Sequence, residues 1–162
     1  NLLLISTLYR IKTKHPKIWS VIEKMHSRLF GIFYARKLKN SLQHQLNGIT
    51  DKETSFRFLT QSDVLDLRLL LNTLEPELRS YFEAHDFTHQ AIKKQLKNNA
   101  FIMLGAFKEN RLIGYFFLRA GINKKCFVGR LLHKDFRNKG IGTIMTQILH
   151  QAAWQSGFRV LA

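Results

Sequence analysis

At 162 residues the chain can bury one sizeable core, and 45% hydrophobic with 12% aromatic residues is the composition of a globular protein rather than a disordered one. Lys and Arg number 26 against 11 Asp and Glu, a formal charge of +15 that draws polyanions of every kind without choosing among nucleic acid, anionic lipid and phosphorylated small molecules. The single cysteine, Cys126, excludes an internal disulfide framework and any multi-cysteine metal site, and fits a reducing, cytoplasmic setting.

The chain starts on Asn1 and ends on the apolar run 158–162, so it reads as a fragment cut at both ends. The longest apolar run near its start, residues 2–5, is far too short to span a bilayer, and no secretory signal is visible. Residues 1 to about 46 read as helical and basic. Pro16 sits where a helix can begin, and Ile18, Val21, Ile22, Met25, Leu29, Ile32 and Phe33 recur at three- and four-residue spacing. We expect that stripe to pack on this fold or on a neighbouring domain, in preference to the sharper reading of a basic amphipathic helix on an anionic membrane surface. Residues 1–50 hold nine basic residues and one acid, and residues 51–162 hold seventeen and ten, so the charge is densest in this first segment.

Asn47-Gly48 and the polar run 50–55 make a turn and linker, which divides the chain into a basic helical segment, 1–50, and a domain, 51–162. Phe56, Phe58 and Leu59 predict a short strand. Thr60, Gln61, Ser62 and Asp63 then supply capping chemistry for a helix carrying the run Val64, Leu65, Leu67, Leu69, Leu70, Leu71 and Leu74. Glu75-Pro76 breaks that helix, residues 81–87 read as an exposed loop, and Thr88 caps a second helix running to about Lys97. The apolar runs 101–107 and 112–118, separated by Glu109-Asn110, predict a β-hairpin, and residues 126–132 a further strand. The run Arg137-Asn138-Lys139-Gly140-Ile141-Gly142 opens a helix with apolar positions Ile141, Ile144, Met145, Ile148, Leu149, Ala152 and Ala153, closed by Gly157. Residues 158–162 begin another strand.

A glycine-rich turn between strand and helix lets the backbone approach an anion closely, because Gly has no side chain and first-turn N–H groups are otherwise unpaired. Residues Asn138, Lys139, Gly140, Ile141, Gly142 and Thr143 would supply those donors, with Arg137 and Lys139 adding positive charge. A Walker loop needs a Gly-Lys-Ser/Thr that is absent, and a dinucleotide fingerprint needs glycine where Met145 stands. The surviving pattern, Arg-x-x-Gly-x-Gly at Arg137, Gly140 and Gly142, resembles the coenzyme A pyrophosphate signature of the GNAT N-acetyltransferase superfamily, set between that family's fourth strand and third helix. The order of elements from Phe56 to Phe158 is also the family's; residues 1–50 lie outside the resemblance, and Lys134 stands where many members have proline.

The resemblance implies an α/β fold of α+β type, a mixed and mostly antiparallel sheet flanked by helices and preceded by the basic helical segment. The Cys126 and Phe158 strands would be adjacent and parallel, joined by the Gly140 helix as a crossover. It implies acetyl-coenzyme A as acetyl donor, with the pyrophosphate on the 137–143 turn and the pantetheine arm on fourth-strand backbone near Leu131, Leu132 and His133. A fourth-strand N–H would polarise the thioester carbonyl, a base must take the amine's proton, and a donor must protonate the leaving thiolate. The family's usual donor is a tyrosine on the helix after the fifth strand, past the last residue of this chain. His133, directly after the fourth strand, is the candidate base, against the plainer reading of a solvated strand-end histidine. Glu83, His85 and Asp86 fall in the segment that in the family helps shape the acceptor site, against a plain loop. Cys126, flanked by Phe127 and Val128, reads as a buried strand cysteine rather than an acyl-accepting nucleophile.

The implied activity is acetyl-coenzyme A-dependent N-acetyl transfer to a primary amine. An amino sugar or nucleotide-linked sugar is favoured, and a protein N-terminus, lysine, polyamine or antibiotic stays open. No metal and no specific nucleic acid is expected, and self-association stays open. The competing reading is a non-catalytic coenzyme A- or RNA-binding module, marked by salt-sensitive RNA binding; the basic residues are spread along the chain and match no RNA-binding motif. As a fragment lacking later strands, the chain is expected to show low activity on its own, with the 158–162 strand as a raw edge.

Overall fold

A computed structural model describes residues 13–49, 51, 53–74 and 88–161. Five strands, β1 (Ser55–Phe58), β2 (Phe101–Lys108), β3 (Arg111–Ala120), β4 (Lys125–Leu132) and β5 (Arg159–Leu161), form one sheet in that order. Neighbours from β1 to β4 are antiparallel, whereas β4 and β5 are parallel. The mixed, mostly antiparallel sheet read from the sequence is therefore present. Glu109 and Asn110 turn the β2–β3 hairpin with φ of 50° and 64°, the left-handed pair that matches the twist of the flanking strands.

Two-residue alternation along the strands splits the core into two layers. On one face Leu104, Phe116 and Leu118 pack with Leu38, Leu42 and Leu46 of α2 (Arg36–Asn47) and Met145, Ile148 and Leu149 of α5 (Ile141–Gln155). On the other, Met103, Tyr115, Phe117 and Leu131 pack with Leu67 and Leu71 of α3 (Val64–Asn72) and Ile92 of α4 (His89–Leu96). The α3 start is held by Asp63: its carboxylate accepts from the Thr60 N–H and hydroxyl at 2.7 and 2.8 Å, and from Arg57 Nη1 and Nη2 at 2.8 and 2.6 Å. Those bonds, the guanidinium first, hold the Asp63 carboxyl at about 2.

α1 (Pro16–Phe30) reaches α2 through a π-helical turn, Gly31–Ala35. An extra residue in the ladder rotates the face that follows. Phe30 before that turn and Ala35, Leu38, Leu42 and Leu46 after it are buried, whereas of the stripe expected to pack on this fold or on a neighbouring domain, Val21, Met25, Ile32 and Phe33 are 56%, 58%, 74% and 67% exposed and do not pack on this fold. α1 is tied to the sheet by other groups. Ser27 Oγ accepts from the Asn99 N–H at 3.0 Å, His26 Nε2 from the Ile122 N–H at 3.4 Å, and Glu23 pairs with Lys94. Among the described residues no helix is long and apolar enough to cross a membrane.

Candidate functional site

The chain leaves β4 at His133, whose Nδ1 accepts from the Asp135 N–H at 3.4 Å and caps the 3-10 turn Lys134–Phe136. Its ring lies edge-on to Phe136, and Nδ1 is also 3.5 Å from the Asp135 carboxylate. Asn138 and Gly140 then adopt φ of 61° and 81°, and the chain swings into α5. The Gly140 carbonyl accepts from Thr143 and Ile144 at 2.9 and 3.1 Å, closing the first helical turn. That leaves Gly140, Ile141 and Gly142, whose N–H groups have no partner among the described residues. They are the orphan donors of a helix start. Thr143, expected with them, spends its N–H on the turn itself.

Positive charge gathers on the same turn. Arg137 Nε donates to the Leu132 carbonyl at 3.3 Å, and Lys139 Nζ lies 5.4 Å from the centre of the Phe136 ring. Arg130, which sequence reasoning missed, reaches from β4 across the crossover, and its Nη1 donates to the Gly142 carbonyl at 2.7 Å. It shares the face of β4 that carries Cys126, Val128 and Leu132; that alternation was the one available signal. Between residues 130 and 143 the only acid is Asp135. Three cations beside the positive end of a helix repel one another and the helix dipole, and an anion relieves both.

Register decides which β4 backbone groups are open. The His133 N–H donates to the Ile113 carbonyl at 2.9 Å, so alternation turns Leu131 and Gly129 toward β3 as well. Val128, Arg130 and Leu132 direct their backbone groups to the opposite side; there the Phe127–Leu161 pairing takes up the Val128 N–H, and Arg130 and Leu132 lie beyond the last residue paired with β5 among the described residues. Of Leu131, Leu132 and His133, then, only Leu132 offers its backbone N–H outward. The Leu131 side chain is buried under α3 and α4.

Glu83, His85 and Asp86 lie outside the described residues. A cleft of about 570 Å³ separates the end of α3 from the β2–β3 turn, with Asp66, Thr73, Glu109 and His133 among its lining. Cys126 is fully buried, and burial pushes its thiol up to about 11, so it is protonated at neutral pH and unsuited to nucleophilic attack. Among the described residues no three His, Cys, Asp or Glu side chains form a group that could hold a metal.

Comparison with known proteins places this geometry. The profile of the acetyltransferase (GNAT) family matches residues 67–162. No curated protein matches the chain. Among solved structures, the PaiA N-acetyltransferase of Thermoplasma acidophilum, in complex with coenzyme A, is 18% identical with a TM-score of 0.55, over 65% of this chain and 74% of its own. The GNAT domain of S. lividans PAT gives 15% and 0.54 over 64% and 67%. An aminoglycoside acetyltransferase from an uncultured soil metagenomic sample, in complex with sisomicin, gives 18% and 0.52 over 70% and 80%. At these identities the likeness is one of fold.

Proposed function

The chain belongs to the GNAT acetyltransferase family, and from that premise we propose that it carries an acetyl group from acetyl-coenzyme A to a primary amine, with an amino sugar as the acceptor class. The observation that carries this reading is the turn itself: three unpartnered N–H groups, of Gly140, Ile141 and Gly142, ringed by Arg130, Arg137 and Lys139. Donors and charge of that kind fit a pyrophosphate. The amino-sugar assignment is prompted by the sisomicin-bound acetyltransferase of the same fold.

Acetyl-coenzyme A brings the acetyl group already activated as a thioester. The protein's part is binding, orientation and proton handling. The N–H groups of Gly140, Ile141 and Gly142 hold pyrophosphate oxygens, with Asn138 and Thr143 flanking them and Arg137, Lys139 and Arg130 supplying charge. The outward backbone of Arg130 and Leu132 on β4 offers donors to the pantetheine amides and to the thioester carbonyl. Leu131 supports that stretch of β4 from the core beneath α3 and α4, and His133 flanks the groove where the strand ends. His133 is the proposed base: when Nδ1 carries the ring proton toward the Asp135 carboxylate, 3.5 Å away, in place of accepting the Asp135 N–H, Nε2 holds the lone pair that takes a proton from the amine. Glu83, His85 and Asp86 are the proposed acceptor contacts. The donor site is assigned to a domain over residues 51–162, with residues 1–50 as a basic helical segment whose α2 shares its core.

The test is thiol release. The chain is mixed with acetyl-coenzyme A and a panel of amines comprising glucosamine, a nucleotide-linked amino sugar, an aminoglycoside, a polyamine and a lysine peptide, and free coenzyme A thiol is measured. Amine-dependent release, strongest with an amino sugar, is expected. Tight coenzyme A binding with no release for any amine would favour the non-catalytic binding module instead.

A further inference from the structure

Among the described residues, seven of the twelve exposed large apolar side chains sit on one face: Ile18, Val21, Ile22, Met25, Leu29, Ile32 and Phe33. They run along α1 and the π turn for about 22 Å at 1.5 Å per residue. Solvation of such a continuous row is costly, and isolated exposed apolar residues elsewhere need no such explanation. The charges around it are one-sided. Lys14, Lys17, Lys24, Arg28, Arg36, Lys37 and Lys39 are all exposed, and the lone acid of residues 13–49, Glu23, is paired with Lys94.

Lys17, Lys24 and Arg28 are spaced at i, i+7 and i+11, so they form a row along one flank of the apolar face. The patch continues into the β3–β4 turn, which is bonded to α1 through His26 and Ile122. There Ile122 is 47% exposed beside the exposed Lys124 and Lys125.

Charge chooses among the occupants of this surface. A second copy would bring the same cations against their like. A polyanion such as RNA would meet the lysines but leave the apolar row in water. An anionic bilayer takes both, with apolar side chains at the acyl boundary and ammonium and guanidinium groups on the headgroup phosphates. We propose that α1 and the π turn dock this protein peripherally on an anionic lipid surface, with Ile18, Val21, Met25, Leu29, Ile32 and Phe33 at the boundary. The donor turn stands at the other end of β4, about 23 Å away along the strand, so docking leaves it open to solvent. The inference does not depend on the proposed activity.

The test is flotation of the chain with vesicles of phosphatidylcholine alone and with a quarter phosphatidylglycerol, alongside the variant Val21→Ser, Met25→Ser, Phe33→Ser. The wild type is expected to float with the anionic vesicles, less so as salt rises, and only weakly with neutral ones. The triple variant should lose at least about tenfold in partitioning while its thermal midpoint is unchanged, because these side chains are exposed. Failure of the wild type to float with anionic vesicles overturns the proposal. So does a variant that floats as well as the wild type, which would leave charge alone in play. A variant that melts several degrees lower, or a wild-type oligomer that the variant dissociates, would show that protein covers this face and would equally overturn it.

Discussion

Replacing Gly140 by Ala should destabilise the fold even though the new methyl group would touch nothing. A Cβ built there has no heavy atom within 4 Å, so the whole cost is conformational, set by a φ of 81°. A side-chain-bearing residue in that left-handed region costs about 1–2 kcal/mol. Gly142, two residues on, is the internal control. It lies in the first turn of α5 with ordinary helical backbone, and its Cβ would stand 3.7 Å from Arg130 Nε, a normal contact. Alanine there gains helix propensity of roughly 0.5–1 kcal/mol. In a domain of this size 1 kcal/mol moves the melting midpoint by roughly 2–4 °C. Circular dichroism melts should therefore put Gly140→Ala about 2–8 °C below the wild type and Gly142→Ala level with it or up to about 4 °C above. Donor binding should follow the same order, because Gly142→Ala keeps its N–H in place and Gly140→Ala redirects the turn. Equal losses for the two variants, or no loss for Gly140→Ala, would refute the assigned turn.

Other consequences concern charge and packing. Arg130→Gln should weaken acetyl-coenzyme A binding by about three- to tenfold and flatten its salt dependence, by titration calorimetry, with little change in stability because the side chain is exposed. The Asp63 carboxyl sits at about 2 when folded against an ordinary 3.8, so its contribution is complete above about pH 4 and is lost as pH falls through 2. That contribution is at most about 2 kcal/mol, and urea melts should find Asp63→Asn weaker at neutral pH but no weaker near pH 2. Gly129→Ala should cost about 1–3 kcal/mol in the same melts, since its Cβ would collide with the Phe117 ring. Cys126 should resist thiol reagents in the folded protein and react once it is unfolded, which a colorimetric thiol assay follows directly.

Where a segment buries one face against a single partner, its sequence showed both element and orientation. The α5 positions Ile141, Met145, Ile148, Leu149, Ala152 and Ala153 are all buried as their spacing predicts, and Glu109-Asn110 turns the hairpin. The α1 stripe shows the limit of periodicity: it identifies an apolar face but not what covers it. The π turn that rotates Leu38, Leu42 and Leu46 onto the sheet has no periodic signal of its own. Gly140 was legible because the left-handed turn before α5 demands glycine, and Gly142 through the motif it completes with Arg137. Arg130 was not, because its contact with Gly142 exists only once the crossover brings β4 beside the start of α5. The backbone directions of Leu131, Leu132 and His133 likewise depend on register with β3, a long-range choice that local sequence leaves open.

The most direct test of the central claim is calorimetric titration of acetyl-coenzyme A into the wild type and into a Gly140→Trp, Gly142→Trp double variant, both shown by circular dichroism to be folded. The account predicts saturable binding to the wild type, weakening as salt rises, and none to the double variant. Equal binding to both, or no binding by a well-folded wild-type chain, would contradict the assignment of the donor site to the turn at Gly140–Gly142.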